Sequence, residues 1–218
     1  MTASARELLE AVRSELAPGE HENRLVPLIA RGAASREALA ALAAEQHRII
    51  ASDWRSFLVL ASRSTGPAAA GFFLDLAQGE VLALEKLAQF AAACGLGEQA
   101  LRDYEPRAGC QAYPAYLAWL ALNGEPTDVV LAVVANFSAW GSYCATVARA
   151  LRGHYGFDDA GCAFFDFFAA PPPAGDEPAL VVVQGALDAG KGTDRAREYG
   201  RLLQSYELMF WNTLADLA

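Results

Sequence analysis

Apolar residues recur along this chain at helical spacing, and strict apolar–polar alternation is rare. The pattern predicts a first helix over about Ala3 to Leu16, stopped by Pro18-Gly19, and a short one over Arg24 to Arg31, closed by Gly32. Ser35 is placed as the N-cap of a long helix, with Glu37 in its first turn, and the chain breaks again between Ser64 and Pro67. A second long helix is predicted from Ala68 to Cys94, ended by Gly95-Leu96-Gly97. Shorter helices follow at Glu98–Tyr104 and Tyr113–Leu122, the latter ended by a turn at Asn123-Gly124. Pro126-Thr127-Asp128 opens a helix running to about Leu151, and Gly156 to Phe168 reads as an aromatic-rich helix. Pro171 to Gly175 forms a rigid connector too short to separate domains. The stretch from Glu177 to Leu187 is ambiguous, because its β-branched run "ALVVVQGAL" also suits a strand. A last helix runs from about Thr193 to the end. The expectation is a single all-α domain over residues 1–218, a compact bundle of about eight helices.

One helix raises a membrane question. Val129 to Ala148 holds twenty residues without a charge, long enough to cross a bilayer. It also carries Asn136, Ser138, Ser142, Tyr143 and Thr146, and no second comparable span occurs, so a buried central helix is the favoured reading.

Composition narrows the class further. Apolar residues make up 54% of 218 residues and charged residues 20%, enough for a sizeable core. The net charge of −9, with no basic stripe, argues against a nucleic-acid partner. Four cysteines at Cys94, Cys110, Cys144 and Cys162 form no Cys-x-x-Cys pair, and three sit in apolar helical text. They read as free thiols in a reducing, cytoplasmic setting, and the N-terminus lacks a signal-peptide core. The three histidines, His21, His47 and His154, form no Glu-x-x-His motif, so no metal and no cofactor is expected.

Several residues are candidates for chemistry. Glu207 lies on or beside the apolar stripe Leu203, Tyr206, Phe210, Leu214 of the last helix. It is either an exposed glutamate at the margin of that stripe or an acid/base whose pKa an aromatic pocket raises. Gln46 and His47 stand mid-helix in "EQHRIIASDW", where His47 is either a hydrogen-bonded helix residue or a proton carrier. Ser138, Ser142 and Thr146 share one helix face, which suits close packing, back-bonding to carbonyls, or a polar pocket wall. Aromatic clusters in "AYPAYLAWL", "AFFDFF" and "ELMFW" are ordinary core material that also suits a cavity for a flat ring.

The order of these segments resembles the TenA family, the thiaminase II-like proteins with a haem-oxygenase-like helical fold. The resemblance spans about Asn23 to Asp216 and rests on "NRLVPLIARG", "EQHRI", "CQAYPAYLAWL", "NFSAWGSY", "AFFDFF" and "YELMFW". It implies one pocket holding an aminopyrimidine ring, and a hydrolytic reaction that removes an amine in thiamin salvage. It implies Glu207 as acid/base and Tyr113 as a pocket tyrosine. It puts His47 where the family has an aspartate and Ile50 where it has a tyrosine. With Trp140 as the anchor, Ser138 falls at the nucleophilic cysteine and Ser142 at a further tyrosine. Phe164 falls at another tyrosine. The implied site is therefore Glu207 and Ser138 for catalysis, with Tyr113, His47, Ser142, Phe164 and Trp140 around the ligand. The resemblance also implies a homodimer or homotetramer. Replacement of aspartate, cysteine and tyrosines leaves two readings open, a hydrolase with a substituted site or a protein that binds another ring.

Overall fold

A computed structural model describes residues 4–19 and 21–218. The described residues form ten α-helices and no strand. Helix α1 (Ala5–Leu16) opens with a capping box, in which Ser4 and Glu7 satisfy each other's backbone N–H groups. The sequence-based start at Ala3 lies outside the described residues. Helix α2 is a short turn of Leu25–Ala30. Helix α3 (Arg36–Arg63) is capped by Ser35, whose hydroxyl accepts from the Ala38 N–H at 3.0 Å. A break at Ser64–Gly66 reverses the chain into α4 (Pro67–Ala93), and the two long helices pack along each other. Helix α5 (Glu98–Asp103) leads to α6 (Ala108–Asn123).

Helix α6 begins five residues before its expected start at Tyr113, and a tertiary contact is the reason. Buried Glu45 of α3 accepts hydrogen bonds from the Tyr104 hydroxyl at 2.9 Å, the Arg107 N–H at 2.7 Å and the Gln111 side-chain amide at 2.8 Å. These contacts fasten the first turn and let the helix run through Pro114.

Helix α7 (Pro126–Tyr155) ends at Gly156, which takes φ +73 and so needs glycine. Helix α8 (Asp159–Ala169) is capped by Asp158. Helix α9 (Glu177–Asp188) settles the ambiguous stretch. Its buried residues Ala179, Leu180, Val182, Val183 and Ala186 follow helical period while Val181 stays exposed. Helix α10 (Ala196–Ala215) closes the bundle against α6 and α7. By length and composition α7 could cross a membrane. In this fold it is the central helix, packed on α1, α2, α8, α9 and α10.

The core divides into two apolar clusters stacked end to end. One gathers Leu39, Ile50, Leu87, Phe90, Leu151, Phe164, Phe165 and Trp211. The other gathers Leu9, Phe57, Phe73, Leu120, Val130, Val183 and Leu203. Tyr113 packs against both. The long helices cross from one cluster to the other, and each carries a polar residue at the crossing: Asp53 on α3, Glu80 on α4, Asn136 on α7 and Glu207 on α10.

The Glu45 clasp provides a stability test. Glu45→Ala removes the shared acceptor of the half-buried Tyr104 hydroxyl, the Arg107 N–H and the Gln111 amide, and is expected to cost about 1–3 kcal/mol in denaturant unfolding. A loss within ~0.5 kcal/mol, the scale of a neutral surface change, would show that the clasp does not hold α6 in place.

Candidate functional site

The two apolar clusters leave a narrow cleft at the level of the polar residues. It is lined by Gln46, Ile49, Ile50 and Asp53 from α3, Glu80 from α4, and Tyr113 from α6. Asn136, Phe137 and Trp140 of α7, Phe168 of α8, and Glu207 and Phe210 of α10 complete the lining. The cleft is small, with a cavity volume of about 50 Å³. The α3 residues fall at i, i+3, i+4 and i+7, so one helix face carries all four.

Glu207 is only 4% exposed. Its Oε2 accepts from Asn136 Nδ2 at 2.7 Å, and its Oε1 accepts from the Trp211 indole N–H at 3.2 Å. Asn136 Nδ2 also reaches Gln204 Oε1 at 3.2 Å. Burial raises the Glu207 pKa to about 7, and the two hydrogen bonds moderate that rise. Trp140 builds the adjoining wall, 5.3 Å from Trp211 and set edge-on to Phe168 at 5.8 Å.

Three carboxyl groups therefore share one cleft, and among the described residues no lysine, arginine or histidine lines it. Asp53 is 5% exposed, and its Oδ1 is buried without a hydrogen-bond partner. Burial, followed by the nearby Glu80, pushes its pKa well above the usual carboxylate range. Burial alone raises Glu80 to about 8. As a coupled pair, the two carboxyls retain a proton at neutral pH. Tyr113 is pushed up as well, first by burial and then by Asp53, Glu207 and Glu80.

The residues expected from the sequence separate into two groups. Glu207, Tyr113 and Trp140 meet in the cleft, as does Ile50. His47 is half-buried on a neighbouring face of α3 and does not line it, and burial lowers its pKa. Ser138 and Ser142 share a face, as their spacing requires, but that face is exposed. It lines a separate groove with Arg13, Pro18, Asn23 and Thr146. The Thr146 hydroxyl there back-bonds to the Ser142 carbonyl at 3.2 Å. On α7 the residues that line the cleft are Asn136, Phe137 and Trp140, and Ser138 lies outside it. Phe164 is fully buried in the core, and Phe168, one turn later, is the phenylalanine at the cleft.

Asp53, Glu80 and Asn136 are the site residues that the sequence reading missed. Asp53 carried a usable signal, since it stands on the face that Gln46 and Ile50 define. Asn136 did too, as an amide one turn before Trp140 in an uncharged helix. Glu80 carried none, because "AQGEVLALEK" reads as an ordinary solvated helix edge. The four cysteines are free, and Cys110, Cys144 and Cys162 are buried outside the cleft lining. Among the described residues no cluster of three metal-ligating side chains occurs.

Residues 19–168 match the sequence profile of the TENA/THI-4/PQQC family. No curated protein matches the sequence. Among solved structures, the chain is similar to a TenA family transcription regulator from Silicibacter sp. TM1040 at 16% identity and a TM-score of 0.75, covering 95% of this chain and 96% of that one. It is also similar to a domain of unknown function with a heme oxygenase-like fold from Shewanella denitrificans OS217, at 14% identity and a TM-score of 0.71, covering 99% and 92%. A TenA homologue from Pyrococcus horikoshii OT3 superposes with a TM-score of 0.68 at 17% identity, covering 98% and 97%. At these identities the likeness establishes a shared heme oxygenase-like, all-α fold.

The raised carboxyls predict a pH dependence of stability. Unfolded glutamates ionise near 4.5, whereas Glu207 holds its proton to about 7 and Glu80 to about 8. Over that interval the folded state binds more protons than the unfolded one, so stability falls as pH rises. Melting temperatures scanned from about pH 5 to about pH 9 should decline, and the decline should be shallower in Glu80→Gln. An equally steep decline in that variant would contradict the assignment.

Proposed function

Because the chain belongs to the TENA/THI-4/PQQC family, we propose that its cleft binds a small, flat, aminopyrimidine-like heterocycle and hydrolyses an amine from it, in a thiamin-salvage type of reaction. The observation that carries this reading is Glu207. It is a buried carboxyl with a pKa raised to about 7, held by Asn136 and Trp211 beside an aromatic wall. An acid/base poised near neutrality works in both directions, since either protonation state is populated.

The reaction balances with water as the nucleophile. The carbon–nitrogen bond to an aminomethyl arm breaks, and nitrogen leaves with the electron pair. Water oxygen bonds to the same carbon while its proton passes to Glu207 and on to the departing amine. Trp140, Phe168 and Phe210 supply the flat apolar walls that hold the ring. Tyr113, kept protonated by burial, offers a hydrogen-bond donor to a ring nitrogen. The net charge of −9 supports a small-molecule ligand over a nucleic acid.

A specific observation supports a second reading, binding without turnover. The α7 residues lining the cleft are Asn136, Phe137 and Trp140, none of them a nucleophile, and the Asn136 side-chain amide is already committed to Glu207 and Gln204.

Ammonia release from an aminomethyl-aminopyrimidine by the purified protein separates the two. Turnover is expected in the wild type, with kcat reduced about 10²–10⁴-fold in Glu207→Gln. Ser138→Ala should leave the rate unchanged, because Ser138 faces the other groove. No ammonia release, with the pyrimidine still raising the melting temperature, would replace hydrolysis by the binding reading. No effect of the pyrimidine on either measurement would remove both.

A further inference from the structure

Helix α3 buries two acidic side chains in very different ways. Glu45 is 0% exposed and fully satisfied, with donors from Tyr104, Arg107 and Gln111. Asp53, two turns further along the same helix, is 5% exposed, yet its Oδ1 has no partner. A buried polar atom left unpaired is costly, and one that faces a cleft is the mark of a group waiting for a donor from outside.

The neighbours of Asp53 deepen the contrast. Glu80, on α4 packed against α3, lines the same cleft and adds a second carboxyl. Neither residue forms an ion pair with a described residue. The basic side chains nearest Asp53 in sequence are engaged elsewhere: Arg55 donates to the Ala51 carbonyl at 3.0 Å, and Arg48 to the Tyr104 carbonyl at 2.6 Å. The amide of Asn136 is used by Glu207 and Gln204. The protein thus assembles two carboxyls facing a cleft and supplies no cation to meet them.

We propose that Asp53 and Glu80 form a subsite for an N–H-bearing organic cation, an amidinium or ammonium group carried on the ring that the cleft holds. This rests on the reading above only in taking the ligand to be a flat ring. A bound cation favours release of the proton that the pair retains, and the two carboxylates then accept several charge-assisted hydrogen bonds from it. The faces of Trp140, Phe168 and Phe210, lining the same cleft, favour a cationic ring electrostatically. Among the described residues no group of three metal-ligating side chains is placed to hold a metal ion. An anionic ligand would meet three carboxyls and no positive charge. The cleft therefore selects rings by charge, through residues outside the Glu207 acid/base centre.

Isothermal titration of the full chain with benzamidine and benzylamine, against the neutral analogues benzamide and benzyl alcohol, tests this. The wild type is expected to prefer each cation over its neutral analogue by about tenfold or more, the scale of charge-assisted hydrogen bonds. Asp53→Asn and Glu80→Gln should each shrink that preference, while benzamide binding persists within about twofold and so reports an intact cleft. Equal binding of cations and neutral analogues by the wild type, an unchanged preference in both variants, or no binding of either cation overturns the proposal. Ammonia release is measured on the same variants. A retained preference for benzamidine without turnover leaves the subsite standing and removes the hydrolase. Turnover abolished by Glu207→Gln but with KM unchanged in Asp53→Asn and Glu80→Gln does the reverse.

Discussion

Five helices of this bundle bring a polar side chain to one level, and the rest of the architecture accommodates that layer. Asp53, Glu80, Tyr113, Asn136 and Glu207 occupy the seam where two apolar clusters meet. Carboxyls withdrawn from water resist ionisation, so such a layer opposes folding unless apolar packing above and below outweighs it. The clusters do this on both sides, with fully buried Phe57 and Phe73 in one and Phe90, Phe164 and Trp211 in the other. The hydrogen bond from Asn136 to Glu207 ties the central helix to the last one across the seam.

The same layer shifts the ionisation of the groups it contains. Desolvation brings Glu207 to a pKa of about 7 and Glu80 to about 8, so groups that would be fully ionised on the surface exchange protons near neutrality. Burial alone does not produce a site, as Glu45 demonstrates. Its three donors make it a fastener for the start of α6, whereas Asp53 keeps an unsatisfied oxygen at the cleft. Satisfaction by the protein's own donors separates a structural carboxylate from one available to a ligand.

Helix α7 shows how one segment serves both fold and site. Its uncharged stretch is apolar enough for a bilayer, yet its faces are divided among neighbours. Asn136 and Trp140 point to the cleft, Val133 and Val147 to the core, and Ser138 and Ser142 to an open groove. A shift of two residues on a helix turns a side chain through more than half a circle. A hydroxyl two residues from a cleft-lining tryptophan in the sequence therefore faces the other side of the helix.

Most helix positions, the cap at Ser35, the central place of α7 and the placing of Glu207 beside an apolar stripe were legible in the sequence. They follow from local periodicity, capping chemistry and the position of a carboxylate beside an apolar stripe. The resemblance built on "AYPAYLAWL" and "YELMFW" pointed to the family and to Tyr113 for the same reason: those residues sit at fixed spacing within single helices. What tertiary structure decided was everything that depends on rotation between helices. It turned His47, Ser138, Ser142 and Phe164 away from the cleft and brought in Asp53, Glu80, Asn136 and Phe168. Spacing within a helix identifies which residues share a face, but only packing against the other helices determines which face looks into the cavity.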